Sequence, residues 1–433
     1  MILCFLDVLS ILWYIIRYNE LSGGIMKITG IVSEYNPFHK GHEYQLKAAR
    51  EKTACDGIVV VMSGNYVQRG EPAIIDKYRR AEAAVYGGAD LVIELPMPFS
   101  FQNAEMFANA AVKELKKVPV NSLSFGCESK DIELLKSIAS IQLNPKFSID
   151  IKKEMDKGLS YPSALTNVVV SVLGMNSCDV ISSPNNVLAI EYIKSTIRHN
   201  LSCNFAPVKR IGKGHNDITV SGKYDSATAI RKSILSGSSE HENSLTEKSN
   251  EAINSFYNEF KGFNNLNNYL DIIYYKILEL GIDGLNNIYE ISEGLNNKIY
   301  ENVFRHDNID DFIMSLKSKR YTYSKLRRMM LNILLDVKKD DIKSFMLTNV
   351  DSYIKILAFN DTGREIIRYA KSSSTAVINR FSDYNKHKIN AEKSPLFKLT
   401  DKSTNMYYLP FKSRTANEEY KKNASYLNII TPR

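Results

Sequence analysis

Two histidines three residues apart lie at a predicted turn from a strand to a helix. A strand over 27–33 leads into the segment 36–42 (NPFHKGH), after which a helix begins. Gly41 lets the backbone approach a phosphate closely, and the first turn of a helix offers unpaired N–H donors with partial positive charge. His39 and His42 can then donate hydrogen bonds to an α-phosphate as negative charge builds up during in-line attack.

The same histidines allow two simpler interpretations. A His-x-x-His pair can supply half of a metal site, but no third ligand stands at a suitable spacing, so we predict no protein-bound metal. Two surface or helix-capping histidines are the other alternative, and this tetrapeptide alone does not exclude them.

A second segment, 225–232 (DSATAIRK), bears on this choice. It places the hydroxyls of Ser226 and Thr228 at the start of a predicted helix and Arg231 one turn later. These groups suit the β- and γ-phosphates of a nucleotide, with Arg231 as a bidentate ligand. A plain helix cap followed by a surface arginine is the alternative. The candidate catalytic residues are His39, His42 and Arg231.

The elements that must position these residues alternate between apolar strands and helices. Strands are predicted over 27–33, 57–62, 90–94, 122–125 and 205–211, and helices over 41–52, 76–86, 102–115, 186–198 and 226–235. Continuous apolar strands separated by helices indicate an α/β fold with a parallel sheet covered on both faces. Ligands of such sheets bind at the carboxyl ends of the strands, where the two histidines are expected.

Composition and charge exclude several classes of protein. With 44% hydrophobic and 24% charged residues, the chain is neither collagen-like nor intrinsically disordered. Five scattered cysteines without a Cys-x-x-Cys pair indicate neither a disulfide framework nor a zinc site, so a reducing compartment, the cytoplasm, is expected. The net charge is +8, and residues 301–433 alone carry 25 basic and 15 acidic side chains, which favours an anionic partner there.

The densest part of this basic surplus is 317–328 (KSKRYTYSKLRR), with six basic residues in twelve and no acidic one. Apolar residues follow at helical spacing, so one face should pack inward and the basic face outward. We predict RNA binding, with tyrosines stacked on unpaired bases; a solvated surface helix is the alternative. The predicted RNA-binding residues are Lys317, Lys319, Arg320, Tyr321, Lys325, Arg327 and Arg328.

The first 25 residues are set apart from this pattern. Residues 1–16 are nearly all apolar, but Asp7 interrupts them, no basic residue precedes them, and sixteen residues are short for a membrane span. We expect Met26 to be the natural start and 1–25 to be a non-native or unstructured leader, and we expect no membrane association. A membrane or partner anchor and a packed element are the alternatives.

The His-x-Gly-His motif after the first strand and the Ser-x-Thr-x-x-Arg motif after the last resemble those of the nucleotidyltransferase superfamily. This resemblance implies a Rossmann-like core in which ATP is attacked at its α-phosphorus and pyrophosphate leaves. Longer segments are similar to the bacterial tRNA(Met) cytidine acetate ligase family: 31–42 (IVSEYNPFHKGH), 62–72 (MSGNYVQRGEP), 88–96 (GADLVIELP), 183–186 (SPNN) and 209–212 (KRIG). The similarity extends over 26–433.

The family resemblance implies an activity and its site. Members activate acetate with ATP to acetyl-adenylate and then acetylate N4 of the wobble cytidine in elongator tRNA(Met); Mg²⁺ is an expected companion of the phosphates. A polar stretch over 237–244 divides a Rossmann-like parallel-sheet nucleotidyltransferase core, 26–238, from a mainly helical tRNA-binding domain, 239–433. With Asn185 as the neighbouring alternative to Asn186, the expected ATP-binding residues are Val32, Ser33, Glu34, Tyr35, Asn36, Pro37, Phe38, His39, Lys40, Gly41, His42, Glu43, Tyr44, Gln45, Gly126, Asn185, Asn186, Arg210, Ser226, Thr228 and Arg231.

Two other functions fit the residues in part. An adenylyltransferase that builds a small nucleotide cofactor would share the core but leave the basic third unexplained. A non-catalytic RNA-binding protein with a vestigial core is the other alternative, which acetate-dependent consumption of ATP would exclude.

The loop after the second strand carries Gln68, Arg69 and Glu71 at a position typical of substrate loops. Arg69 is a candidate receptor for a carboxylate or for the RNA backbone, with a solvated loop charge as the alternative. Three polar residues of the next helix are expected to form its cap and surface ion pairs: Asp76, Lys77 and Arg80.

Overall fold

The computed structural model describes residues 26–129, 131–209, 222–318, 320–347, 353–372, 375–383 and 395–429. The predicted leader, the predicted ATP-binding residue Arg210 and the predicted RNA-binding residue Lys319 lie outside the described residues. None of the helices in the described ranges combines the length and apolar character that a membrane span requires.

A parallel sheet forms the centre of the fold. Its strands β1 (Ile28–Ser33), β2 (Gly57–Ser63), β5 (Leu91–Leu95), β6 (Ser122–Cys127) and β7 (Asn204–Lys209) lie in the order β5-β2-β1-β6-β7 and are parallel throughout. Two short strands, β3 (Tyr66–Val67) and β4 (Glu71–Pro72), form a separate hairpin between β2 and β5 in the sequence. The five predicted strands are confirmed, with bounds that differ by a few residues, and positions 210 and 211 of the last prediction lie outside the described residues.

Helices connect the strands and make up most of the remainder. In the first half of the chain they are α1 (Lys40–Thr53), α2 (Lys77–Tyr86), α3 (Ala104–Leu115), α4 (Ile132–Leu143), α5 (Pro145–Asp156), α6 (Tyr161–Leu173), α7 (Cys178–Ser182), α8 (Pro184–Arg198) and α9 (Ala227–Leu235). In the second half they are α10 (Glu247–Phe260), α11 (Leu270–Asn287), α12 (Leu295–Glu301), α13 (Ile309–Leu316), α14 (Tyr323–Leu335), α15 (Lys339–Leu347), α16 (Asp361–Ser372), α17 (Pro395–Tyr408) and α18 (Glu418–Lys421).

Alternating side chains of the central strands pack on opposite faces of the sheet. In β2, Val59 and Val61 belong to one apolar cluster, while Ile58, Val60 and Met62 belong to another that contains residues of α1 and α2. Every residue of β2 is buried, because helices cover both faces. This double cover explains why the strands are continuously apolar in the sequence.

The second half of the chain contributes strands that the sequence did not predict. β8 (Tyr353–Phe359) pairs antiparallel with β5, and β9 (Ala376–Ile378) and β10 (Ser425–Tyr426) pair parallel with β8. Within the described residues the main sheet therefore has eight strands. The second half is mainly helical, as expected, but these three strands were not predicted, because β8 gains its pairing from a distant part of the chain.

The two halves share one hydrophobic core. A single apolar cluster extends from Ile28 to Phe411. The hydroxyl of Tyr407 donates to the carbonyl of Ala73 at 2.8 Å, and the hydroxyl of Tyr66 donates to the carbonyl of Ser403 at 3.2 Å. The apolar cluster and both hydrogen bonds therefore cross the predicted boundary near residue 238, which stays a prediction.

Candidate active site at the carboxyl edge of the sheet

The topology places the histidine motif where the strand order reverses. From β1 the chain proceeds to β2 and β5 on one side, and it then returns to β6 on the other side of β1. The carboxyl end of β1 is therefore a topological switch point, which is where open α/β sheets bind ligands. His39 and His42 follow β1 directly and begin α1.

Helix capping fixes the orientation of both imidazoles. His39 is the N-cap of α1, and its Nδ1 accepts from the N–H of Gly41 at 3.0 Å. Nδ1 of His42 accepts from the N–H of His39 at 3.3 Å, and the ring centroids lie 3.7 Å apart. Because both Nδ1 atoms accept, the neutral rings carry their protons on Nε2. The capping interpretation and the functional one are therefore compatible: Nδ1 caps the helix and Nε2–H is a donor.

Gly41 is required by this cap. A Cβ at Gly41 would lie 2.8 Å from Cε1 of His39 and 3.0 Å from its Nδ1. A side chain there would displace the His39 ring from the helix terminus. The glycine thus serves the histidine geometry as well as access to the backbone.

Two aromatic rings pack near the imidazole of His42. The rings of Tyr35 and His42 have centroids 4.7 Å apart, and those of Phe38 and His42 are 5.8 Å apart. Phe38 is buried against α2, where a Cβ at Gly87 would lie 2.2 Å from its Cζ. Tyr35 and Phe38, both expected at the ATP site, are each 1% exposed. Their rings therefore hold the His42 ring in place.

A buried arginine holds the loops around the switch point. Arg80 is fully buried and donates to the carbonyls of Glu34 at 2.6 Å, Ser63 at 3.2 Å and Ile75 at 3.1 Å. The expectation of surface ion pairs was wrong for Arg80 and for Lys77, which is also fully buried. Arg80 therefore ties together the carbonyl of the residue after β1 and that of the last residue of β2.

The fold places the Ser-x-Thr-x-x-Arg motif next to the His-x-Gly-His motif. Ser226 caps α9 by accepting from the N–H of Ala229 at 3.1 Å. Nη1 of Arg231 donates to the carbonyl of Asn36 at 2.9 Å, so the guanidinium lies against the loop that precedes His39. Sequence positions separated by 195 residues therefore meet at one edge of the sheet.

Two carboxylates and three arginines surround this contact. Glu71 pairs with Arg231 at 2.8 Å and with Arg327 at 2.7 Å, and Nη1 of Arg69 donates to Oγ1 of Thr228 at 2.8 Å. Glu34 lies 3.9 Å from Arg69. Burial raises the pKa of Glu34, and the charges of Arg69 and Arg231 offset this only in part.

The expected residues of β6 and α8 meet beside β1. Gly126 lies near the end of β6, and Oδ1 of Asn186 accepts from the N–H groups of Glu128 at 3.0 Å and Ser129 at 3.1 Å. Asn185 contacts the Glu128 carboxylate through its amide Nδ2. Asn186 therefore shapes the loop after β6, while Asn185 is the more exposed of the two amides.

The other expected ATP-site residues differ in exposure. Val32, Ser33, Tyr44 and Gln45 are half-buried near the switch point, whereas Glu43 points to solvent. Lys40 donates from Nζ to the carbonyl of Asn243 at 2.6 Å. The ring of Tyr44 lies near that of Tyr224, with centroids 6.5 Å apart. Pro37 is buried within the loop.

The basic segment forms the start of α14 and the turn before it. Its apolar stripe is buried as predicted: Leu326, Met329, Met330, Ile333 and Leu334 are all 0% exposed. Lys317 and Arg320 are exposed, and Lys325 is half-buried with its Nζ 5.4 Å from the centroid of the Tyr321 ring. These three side chains fit the predicted outward basic face.

Three other predicted RNA-binding residues depart from that picture. Tyr321 is 9% exposed and its hydroxyl bonds to Ser292, so little of its ring is accessible for the predicted stacking on a base, which stays a prediction. Arg328 is only 11% exposed and lies 3.6 Å from Glu290. Arg327 turns toward Glu71 and the candidate active site. The helix packs against the core, which draws these side chains inward.

The described residues hold no group of three or more His, Cys, Asp or Glu side chains placed to bind a metal ion. Glu34 and Glu71 both face arginines, and Asp225 of the second motif accepts from the hydroxyl of Ser244 at 2.6 Å. Among the residues that the structure describes, there is therefore no carboxylate cage at this part of the site.

Comparisons with known proteins identify the family and the fold of the chain. The family model described as HIGH Nucleotidyl Transferase matches residues 26–423. The tRNA(Met) cytidine acetate ligase of Clostridium perfringens is 38% identical over 408 residues, which cover 91% of this chain and 98% of that protein. The chain belongs to the tRNA(Met) cytidine acetate ligase family. The family member from Clostridium novyi is 36% identical over 411 residues and is covered over its full length.

Two solved structures share the fold of this member of the tRNA(Met) cytidine acetate ligase family. Apo TmcAL of Thermotoga maritima superimposes with a TM-score of 0.87 at 33% identity, covering 93% of this chain and 100% of that one. The same protein bound with alpha-thio ATP gives a TM-score of 0.84. The predicted family and the predicted α/β fold are confirmed.

Sequence reasoning missed the structural roles of Arg80 and Glu71. A signal for Arg80 was present, since Ala83 and Ala84 follow it by three and four residues and share its buried helical stripe. Glu71 offered no local signal, because its partners Arg231 and Arg327 are 160 and 256 residues away in the sequence.

Proposed function

We propose that this protein is an ATP-dependent acetate ligase that forms N4-acetylcytidine at the wobble position of elongator tRNA(Met). The observation that carries the proposal is the pair of imidazoles at the switch point, whose Nδ1 atoms are occupied by the backbone and whose Nε2–H groups are donors. Membership of the tRNA(Met) cytidine acetate ligase family supports the choice of acetate, ATP and tRNA as substrates.

The first step forms acetyl-adenylate. An acetate oxygen attacks the α-phosphorus of ATP, the bond from that phosphorus to the α,β-bridging oxygen breaks, and pyrophosphate leaves. His39 and His42 donate to the α-phosphate oxygens, where charge accumulates, and the N-terminus of α1 adds its partial positive charge. Ser226, Thr228 and Arg231 hold the departing pyrophosphate.

The second step transfers the acetyl group. The exocyclic N4 of cytidine attacks the acetyl carbonyl, the bond from that carbon to the AMP oxygen breaks, and AMP leaves while the amine loses a proton. Lys317, Arg320 and Lys325 supply outward charges suited to the phosphates of an RNA. The core, 26–238, would perform activation, and 239–433 would carry most of the tRNA surface.

Mg²⁺ is proposed to enter with ATP, because phosphate oxygens and water are its preferred ligands and the described residues provide no acidic cluster for it. When bound, it would neutralise charge on the phosphates. The cytoplasm is the proposed location, since the tRNA substrate is found there.

Acetate-dependent exchange of pyrophosphate into ATP tests the activation step. His42→Ala removes one donor to the α-phosphate, and we expect the exchange rate to fall by about 10²–10³. His306→Ala, at a half-buried histidine whose ring lies 6.2 Å from that of Phe312 in the second half of the chain, is the matched control and should retain the rate. An unchanged rate in His42→Ala would contradict the assignment.

A further inference from the structure

A short hairpin lies between the candidate active site and the basic helix α14. Glu71 in its second strand pairs with two arginines: Oε1 lies 2.8 Å from Nη2 of Arg231, and Oε2 lies 2.7 Å from Nη2 of Arg327. Arg231 belongs to the second phosphate motif, and Arg327 belongs to α14. One carboxylate therefore joins the proposed pyrophosphate site to the proposed RNA-binding helix.

Backbone packing keeps the hairpin against α14. Gly70 has a φ of +79°, and a Cβ there would lie 2.6 Å from the backbone N of Arg328 and 2.8 Å from the backbone C of Arg327. Only glycine combines this conformation with so close an approach. The hairpin turn and the second turn of α14 are therefore in direct contact, which holds Glu71 opposite Arg327.

The three paired side chains are largely removed from solvent. Arg231, Glu71 and Arg327 are 10%, 14% and 19% exposed, so salt screens their attraction less than that of surface ion pairs. Burial alone would raise the pKa of Glu71, but Arg231, Arg327 and Arg69 outweigh it and the pKa is lowered. Glu71 is a carboxylate at neutral pH, and its charge is shared between the two arginines.

We propose that Glu71 makes the β- and γ-phosphates of ATP compete with the phosphates of RNA, so that tight RNA binding follows the departure of pyrophosphate. This inference rests on the proposed function. Phosphates that engage Arg231 weaken its pair with Glu71, and the carboxylate then binds Arg327 more strongly and repels an incoming RNA phosphate. When pyrophosphate leaves, Arg231 pairs with Glu71 again and shares its charge with Arg327, so the pair of Glu71 with Arg327 weakens and Arg327 can bind an RNA phosphate. Glu71 is a positioning residue, because it acts through the two arginines.

The test compares the dissociation constant of unmodified tRNA(Met) in two ligand states. One state is saturated with α,β-methylene-ATP, which carries the β- and γ-phosphates and is not cleaved, and the other with AMP, which lacks them. Acetate is omitted. For the wild-type chain we expect tRNA to bind at least about fivefold more weakly with the ATP analogue than with AMP, as is typical of coupled sites.

Substitutions decide whether Glu71 carries this effect. In Glu71→Gln the ratio of the two dissociation constants should fall to within about twofold of one. Direct repulsion between the two ligands would persist in that variant, so an undiminished ratio would overturn the proposal. Arg327→Gln provides a second variant if Glu71→Gln does not fold, and it should bind tRNA more weakly with a ratio near one. Lys317→Ala should weaken tRNA binding while keeping the wild-type ratio.

The outcome also separates this inference from the proposed function. A wild-type chain that performs acetate-dependent exchange and binds tRNA, but with a ratio of one or an inverted ratio, overturns the coupling alone. A wild-type chain that lacks both exchange and tRNA binding overturns the proposed function and the coupling with it.

Discussion

Replacement of Glu419 by glutamine removes one charge from a buried network of four. Glu419 accepts from Nζ of Lys355 at 2.8 Å and from Oγ1 of Thr404 at 2.6 Å, and it also pairs with Lys77. Lys77 pairs in turn with Glu94 at 2.7 Å. The four charged side chains are at most 4% exposed, and they join α2 and β5 of the first half to β8 and α18 of the second.

The expected cost follows from this burial. In Glu419→Gln two lysines face a single carboxylate, and the loss of one partner from a buried ion pair costs about 3–5 kcal/mol. At about 2.1 cal/mol/K of unfolding entropy per residue, the melting temperature of a chain of this size should fall by about 3–6 °C. Glu365→Gln, on the exposed side of α16, is the matched control and should change stability by less than about 0.5 kcal/mol.

The pH dependence gives a second check. Burial would raise the pKa of Glu419, but Lys355 and Lys77 outweigh it and lower the pKa to about 2 from the ordinary 4.5. The ionised carboxylate therefore contributes stability above pH 4.5 that is lost as the pH falls toward 2. The difference in unfolding free energy between wild type and Glu419→Gln should be nearly constant from about pH 8 to pH 5 and narrow below.

Urea unfolding followed by circular dichroism measures the unfolding free energy of each variant and its dependence on pH. Because the two halves share a sheet and a core, we expect a single transition in the wild-type chain. A destabilisation at pH 7 no greater than that of Glu365→Gln, or separate transitions for the two halves, would refute the reasoning.

Two further predictions concern the proposed reaction. Gly41→Ala places a Cβ 2.8 Å from Cε1 of His39, so the rate of pyrophosphate exchange should fall by about 10². Gly262→Ala is the control, because a Cβ there would lie 4.0 Å from the nearest atom. Equal exchange rates in the two variants would contradict the cap geometry. Lys317→Ala and Arg320→Ala should each reduce the slope of log K for tRNA against log salt by about 0.7–0.9, and unchanged slopes would show that this surface does not touch the RNA backbone.

The sequence predicted the core of this protein well because its signals there are local. Apolar strands, polar turns and the cap at His39 depend on residues within a few positions of one another. β8 was not predicted, because a strand at the far side of β5 requires a partner more than 250 residues away. The inward turn of Arg327 escaped prediction for the same reason, since a run of basic residues specifies charge but not which side chains meet Glu71.

The transfer of labelled acetate to tRNA tests the central claim most directly. The protein is incubated with ATP, Mg²⁺, ¹³C-acetate and unmodified elongator tRNA(Met), and the tRNA is digested and analysed by mass spectrometry. We predict labelled N4-acetylcytidine at the wobble position, formed only when ATP and acetate are both present and reduced by about 10²–10³ in rate in His42→Ala. Intact cytidine at that position after complete incubation with active, ATP-binding protein would contradict the account.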